Sequence, residues 1–200
     1  CHPGHPAPYR RRNENKRHLR IVGRCARPLR NQSIAEDCGR ELRTGILIGV
    51  ISDTHGLLRP EAIEALRGSD RIIHAGDVGA PEIVETLSAI APVTAIRGNI
   101  DKGAWALKLP LTEVLEVAGI SIYVLHDLAQ LNLKPKPAGF TVVVSGHSHV
   151  PKQELCDGVL YFNPGSAGPR RFKLPVSVGK LIWDDGGVRS ELFPLAVSQS

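Results

Sequence analysis

Methionine is absent from the 200-residue chain, aromatic residues make up only 4% of it, and its four cysteines include no C-x-x-C pair. The cysteine pattern excludes a disulfide scaffold and a thiolate zinc site, and it points to a reducing, cytoplasmic compartment. Nowhere does the run of roughly 18 apolar residues that a membrane helix needs occur, so an integral helical membrane protein is excluded. Acidic residues are scarce near the amino terminus but not elsewhere. Residues 1–44 hold eleven Lys/Arg against four acids, a net of +7, whereas the remainder holds 14 against 16, a net of −2. The overall charge of +5 therefore belongs to the tail, and the body carries no electrostatic footprint for nucleic acid. Glycine (20) and proline (15) are abundant, alongside 42% apolar residues. That mixture describes a turn-rich chain with enough Val, Ile and Leu for one buried core.

The first 44 residues show no hydrophobic period, and their longest aliphatic run, Leu19–Val22, is broken by Arg20. Such a run is too short for the apolar centre of a secretory signal. Cys1, Cys25 and Cys38 lie here without metal-ligand spacing. A chain that opens on Cys1 and lacks Met leads us to expect a disordered, non-native or mis-started extension over residues 1–44, joined near Thr44–Gly45 to one domain over residues 45–200. Arginine content leaves a transit peptide or a basic nucleic-acid arm as alternatives.

From Gly45 the texture changes. Ile46–Ile51 is a short, β-branched apolar run and reads as a buried strand. Arg59–Leu66 has an early Pro and apolar residues at helical spacing; Arg71–His74 reads as a second strand, Pro81–Ala89 as a second helix and Val93–Ile96 as a third strand. Strands alternating with helices predict a parallel sheet with crossovers. Beyond Trp105 the pattern predicts hairpins at Thr112–Val117 with Ile120–Leu125, across Leu155–Phe162, and at Val176–Trp183 with Val188–Phe193, plus a buried strand at Phe140–Val144.

The residues at the ends of these runs carry the chemistry. ILIGVI leads into Asp53 and His55, RIIHA into Gly76-Asp77, VTAIR into Gly98-Asn99, ISIYVL into His126, and FTVVVS into Gly146-His147-Ser148-His149. Five strands thus deliver Asp, Asn or His at their carboxyl ends, where open α/β sheets place their sites. Taken singly, each has an ordinary alternative: Asp53 as a turn cap, His126 as a hydrogen-bonded core histidine. His147 and His149, spaced i and i+2 on an extended segment, point the same way, and Asp53 and His55 share that spacing. Two Asp, one Asn and four His exceed one tetrahedral ion and suit two metals sharing a carboxylate. Two divalent ions against Asp53 and Asp77 leave +2, which one hydroxide and one phosphodiester anion would neutralise. The mixed O/N donors suit Mn, Fe, Zn, Ni or Co, with Mg also compatible.

DTHG, GD, GN, H and GHSH, in this order across residues 46–150, resemble the motifs of the calcineurin-like metallophosphoesterases. With Asn163-Pro164-Gly165-Ser166 after GHSH, the chain is most similar to the small YfcE-type phosphodiesterases. The resemblance covers about residues 45–195. It implies an α/β fold, a four-layer α/β/β/α sandwich of two mixed sheets, with a dinuclear metal site at the strand carboxyl ends. It implies that one ion takes Asp53, His55, Asp77 and His149 and the other Asp77, Asn99, His126 and His147, with Asp77 bridging. Asp77, Asn99 and His126 would then be catalytic, and a bridging hydroxide would attack phosphorus without a covalent enzyme intermediate. The cofactor would be two divalent ions, manganese foremost, and the substrate a small phosphodiester. Neither membrane nor nucleic acid is expected as a partner; a homo-oligomer is compatible with the pattern.

One position departs from the superfamily. Many members carry GNHE, whose His can protonate the leaving group, whereas this chain reads Gly98-Asn99-Ile100-Asp101, as the YfcE-type subgroup also lacks that His. Asp101 is then a candidate for substrate contact and for the missing acid, with a capping or loop role as its alternative. Arg97 is a second candidate substrate contact, with a strand-edge position as its alternative, and Arg170 and Arg171 could attract an anion. His74 reads as a buried hydrogen-bonded histidine, Asn163–Ser166 as a turn supporting the site, and Cys156 as structural. The competing function is that of a scaffold similar to the eukaryotic retromer subunit, whose ligand set is incomplete at the position matching His55; here all seven are present.

Overall fold

Adjacent residues along the first strand face two different cores. In Ile46–Ile51 (β1), Ile48 and Val50 join one buried cluster and Ile51 another, the signature of a strand covered on both faces. The computed structural model describes residues 45–197; the expectations for residues 1–44 lie outside them. β1 leads through the helix Pro60–Leu66 (α1) to Arg71–His74 (β2), and through Pro81–Ser88 (α2) to Val93–Ala95 (β3). Both helices carry Pro in the first turn, where its missing N–H leaves no bond unmade. Ala62 and Leu66 on α1, and Ile83 and Leu87 on α2, lie four apart and are buried against the sheet.

β1, β2 and β3 pair in parallel, as the strand–helix alternation predicts. The rest of the chain adds Thr112–Val117 (β4), Ile120–Leu125 (β5), Val142–Val144 (β6), Lys152–Cys156 (β7), Val159–Asn163 (β8), Ser177–Asp184 (β9) and Gly187–Pro194 (β10). One mixed sheet has the order β10-β9-β1-β2-β3 and the other β4-β5-β6-β8-β7. All three expected hairpins form, β4–β5, β7–β8 and β9–β10. The strand expected at Phe140–Val144 pairs only over Val142–Val144. Phe140 instead donates its N–H to Pro135 O (3.0 Å) and sets its ring on Tyr123, so it belongs to the preceding loop.

The inter-sheet core joins Ile48, Val50 and Ile73 to Ile122, Val124, Val144 and Phe162. α1 and α2 form the layer on the first sheet. On the outer face of the second sheet the fourth layer is thin: a 3-10 turn, Leu128–Gln130, and a loop that brings Leu131 onto Leu125, Val143 and Val159. Among the described residues, no helix is long and apolar enough to cross a membrane.

Candidate metal centre

The loops that follow β1, β2, β3, β5 and β6 converge, and their turns are unusually tight. Asp53, His55, Asp77, His147 and His149 all adopt φ between 49° and 65°. This left-handed region is costly for residues with a Cβ and clusters at functional sites. Five of the seven residues singled out from the sequence sit there, so the backbone is bent where these side chains must be aimed.

Two clusters result. In the first, His149 Nε2 lies 3.3 Å and His55 Nε2 3.9 Å from Asp53 Oδ1, and the two ring nitrogens are 3.3 Å apart. In the second, Asn99 Oδ1 lies 3.1 Å from His126 Nε2 and 3.0 Å from His147 Nδ1. Asp77 reaches both: Oδ1 is 3.3 Å from His126 Nε2 and Oδ2 is 3.8 Å from His55 Nε2. Asp53, His55 and His149, and Asp53, Asp77 and His126, each bring one donor atom within 4.8 Å of the others. The structure therefore brings all seven candidate ligands to one site.

The donor chemistry fits cations. Asp53 Oδ2 accepts from Ser52 Oγ (2.6 Å) and from His147 N–H (3.1 Å), but Oδ1 is buried and accepts no hydrogen bond. A bare carboxylate oxygen facing two imidazole nitrogens is costly unless a positive charge joins them. Burial pushes the Asp53 carboxyl up to about 6. Burial also lowers His55 and His149, the latter to about 4, with the Arg171 charge acting in the same direction, so both present neutral nitrogens. Burial would raise Asp77, but hydrogen bonds from His126 and from Ile100 N–H outweigh it and hold the carboxyl below its usual range. Burial would lower His126, yet its bonds to Asp77 and Ala75 O outweigh that and raise it. With Nδ1 2.7 Å from Ala75 O and donating to it, Nε2 is the atom aimed at Asp77 and Asn99. A pocket that favours a second proton on Nε2 favours a cation there.

Support comes from residues whose role the sequence left undecided. Asp101, only 6% exposed, accepts from Gly98 N–H (2.8 Å), Val78 N–H (3.1 Å) and Gly79 N–H (2.7 Å). Its carboxylate clamps the loop bearing Asn99 to the loop bearing Asp77. Asp101 thus takes the capping role that the sequence left as its alternative. Gly98 completes the joint, since a Cβ there would lie 2.8 Å from Asp77 Cγ. The backbone N–H of Arg97 bonds to Pro110 O (2.7 Å), and its side chain makes no hydrogen bond or ion pair among the described residues.

Thr54, which the sequence did not single out, donates to Val78 O (2.9 Å) and meets buried His74 Nε2 at 2.9 Å. Asn163 donates to Gly146 O (2.7 Å) and Ser148 Oγ (3.1 Å), propping the loop of His147 and His149 as expected. Asp101→Asn is expected to turn an NH2 group against at least one of these N–H donors. The loss should be about 1–3 kcal/mol of stability per broken bond, read by thermal or urea unfolding, together with weaker metal binding by calorimetry. Unchanged stability would deny the clamp.

Residues 46–185 match the calcineurin-like phosphoesterase superfamily domain. The chain belongs to that superfamily. A probable metallophosphoesterase of Methanocaldococcus jannaschii is 39% identical over 163 residues, spanning 75% of this phosphoesterase chain and 82% of that protein. Among solved structures, the phosphoesterase YfcE of E. coli shares the fold at TM-score 0.55 and 23% identity, over 73% of this chain and 98% of its own. Vps29 of Entamoeba histolytica, solved in complex with zinc, shares it at 0.58 and 21%, over 73% and 97%. The phosphoesterase fold thus accommodates both an enzyme and a sorting protein.

Proposed function

We propose that the chain is a metal-dependent phosphodiesterase of the cytoplasm, using two divalent ions, manganese foremost. The observation that carries this reading is the buried, unbonded Asp53 Oδ1 where His55 and His149 meet, beside a second cluster joined to it through Asp77. Such ions, when bound, acidify a water to serve as nucleophile and clamp the attacking and leaving oxygens of an in-line displacement.

The chain's own residues prepare that site. Asp53, His55 and His149 would hold one ion, Asn99, His126 and His147 the other, and Asp77 both. Ile100 N–H donates to Asp77 Oδ1 (3.0 Å) and orients the shared carboxylate. The Ile100 side chain, 37% exposed, supplies no proton at the position where GNHE has His. The residual charge of +2 and this vacancy both favour diesters over monoesters. Manganese-loaded protein should therefore hydrolyse bis(4-nitrophenyl) phosphate, with a higher kcat than for 4-nitrophenyl phosphate. No turnover of any phosphoester at verified metal loading would favour the scaffold reading that the Vps29 likeness supports.

The division into residues 1–44 and a phosphoesterase domain over 45–200 belongs to the same proposal. Deleting residues 1–44 is expected to shift Tm by no more than about 2 °C and to leave turnover unchanged. A large fall in either would show that the segment serves the domain.

A further inference from the structure

The segment after Ser166 is tied to the β1 end of the site by more bonds than a surface turn needs. Ala167 N–H donates to Ser52 O (3.0 Å), Gly168 N–H to Asp53 O (3.2 Å) and Ser166 Oγ to Asp53 O (2.9 Å). Arg59 Nε adds a bond to Gly168 O (3.2 Å). Gly168 runs so close that a Cβ would lie 2.6 Å from Thr54 C. Three residues on, the anchored segment turns, with Leu174 N–H donating to Arg171 O (3.1 Å) and Phe172 at φ 53°.

The consequence is the placement of one guanidinium. Arg171 Nη2 donates to His55 Nε2 across 3.4 Å, and the side chain is otherwise exposed to solvent. A guanidinium beside His55, a candidate ligand in a site built for metal cations, is out of place once they bind unless an anion arrives with them. His55 Nε2 is a candidate ligand atom; with it engaged, the guanidinium keeps its planar fork of N–H donors at the open side of the site. That fork matches phosphate oxygens in geometry and charge. Arg170, by contrast, makes no hydrogen bond or ion pair among the described residues.

Resting on the phosphodiesterase reading above, we propose that Arg171 is a specificity-determining residue that selects phosphodiesters carrying a further negative charge next to the scissile phosphate, such as a terminal phosphate. The charge balance agrees. Two divalent ions, two carboxylates and a hydroxide leave room for one monoanionic diester; the guanidinium adds one positive charge that such a diester leaves unmatched.

The test compares parent, Arg171→Ala, Arg171→Lys and Arg170→Ala, all loaded with manganese to equal content by elemental analysis. The first readout is calorimetric binding of inorganic phosphate; the second is KM and kcat for a thymidine dinucleotide with and without a 5′-phosphate. Arg171→Ala should weaken phosphate binding about tenfold and raise KM about tenfold for the phosphorylated dinucleotide. It should leave KM for the unphosphorylated one within about twofold and kcat for both within about threefold. Arg171→Lys should recover part of the loss, and Arg170→Ala should stay near the parent. Equal KM changes for both dinucleotides, equal losses in Arg170→Ala, or unchanged phosphate affinity in Arg171→Ala would overturn the proposal. If parent protein hydrolyses neither dinucleotide while Arg171→Ala still loses phosphate affinity, the diesterase reading fails and the anion site stands.

Discussion

Asp77→Asn is expected to abolish hydrolysis of aryl phosphodiesters. The loss should exceed the roughly 10–100-fold that removal of an outer-sphere partner costs a metal site. Asp77 is one of only two carboxylates among the seven candidate ligands, and its two oxygens turn to different clusters, 3.3 Å from His126 Nε2 and 3.8 Å from His55 Nε2. An amide keeps the shape, but it removes a full negative charge and offers one acceptor in place of two. Ions held there would be bound less tightly, and a nucleophile activated by them would be poorly placed. The fold should survive, because the N–H of Ile100 can still bond the amide oxygen. Steady-state kinetics at matched metal content read the result, with circular dichroism as the check on folding. Turnover equal to the parent would transfer the activity to a contaminant and leave a scaffold.

Removal of metal is expected to have an effect of the same size. Protein stripped by a chelator should lose diester hydrolysis, and Mn²⁺ or Ni²⁺ should restore it better than Ca²⁺. Four imidazoles in the donor set suit borderline transition ions, whereas calcium prefers oxygen alone. Binding should also depend on pH in a definite direction. Asp53 sits at about 6 without metal, so below that value an ion must first displace its proton. Apparent affinity should fall by about a factor of ten per unit as pH drops below about 6, with the proton favoured on His126 adding to the slope. A flat affinity between pH 5 and 7 would remove Asp53 from the ligand set, and full activity at nil metal content would remove the metals from the reaction.

The parts of this site that were legible in the sequence are those that local pattern encodes. Apolar runs such as Ile46–Ile51 and Arg71–His74 end in Asp53 and Asp77 because a parallel sheet exposes its carboxyl ends there. The i, i+2 spacing of His147 and His149 survives as two rings aimed into one centre, although by way of left-handed turns rather than an extended strand. Asp101 was ambiguous because its partners are backbone N–H groups of Val78 and Gly79, 23 and 22 residues away, which leave no trace in side-chain pattern. Thr54 resembles any turn residue until its hydroxyl is seen between His74 and Val78 O. Arg171 meets His55 across 116 residues, through a loop whose path depends on bonds to the β1 end. The thin outer layer on the second sheet was likewise invisible, since the apolar residues of β5 and β6 ask for cover but do not say what supplies it.

The most direct test is the count and coupling of bound ions. Stripped protein titrated with manganese should bind two ions per chain at saturation. Electron paramagnetic resonance should then show an exchange-coupled pair in place of isolated six-line signals, with diester hydrolysis rising in step. Binding of a single ion per chain, or two ions with uncoupled spectra, would contradict a centre in which Asp77 is shared.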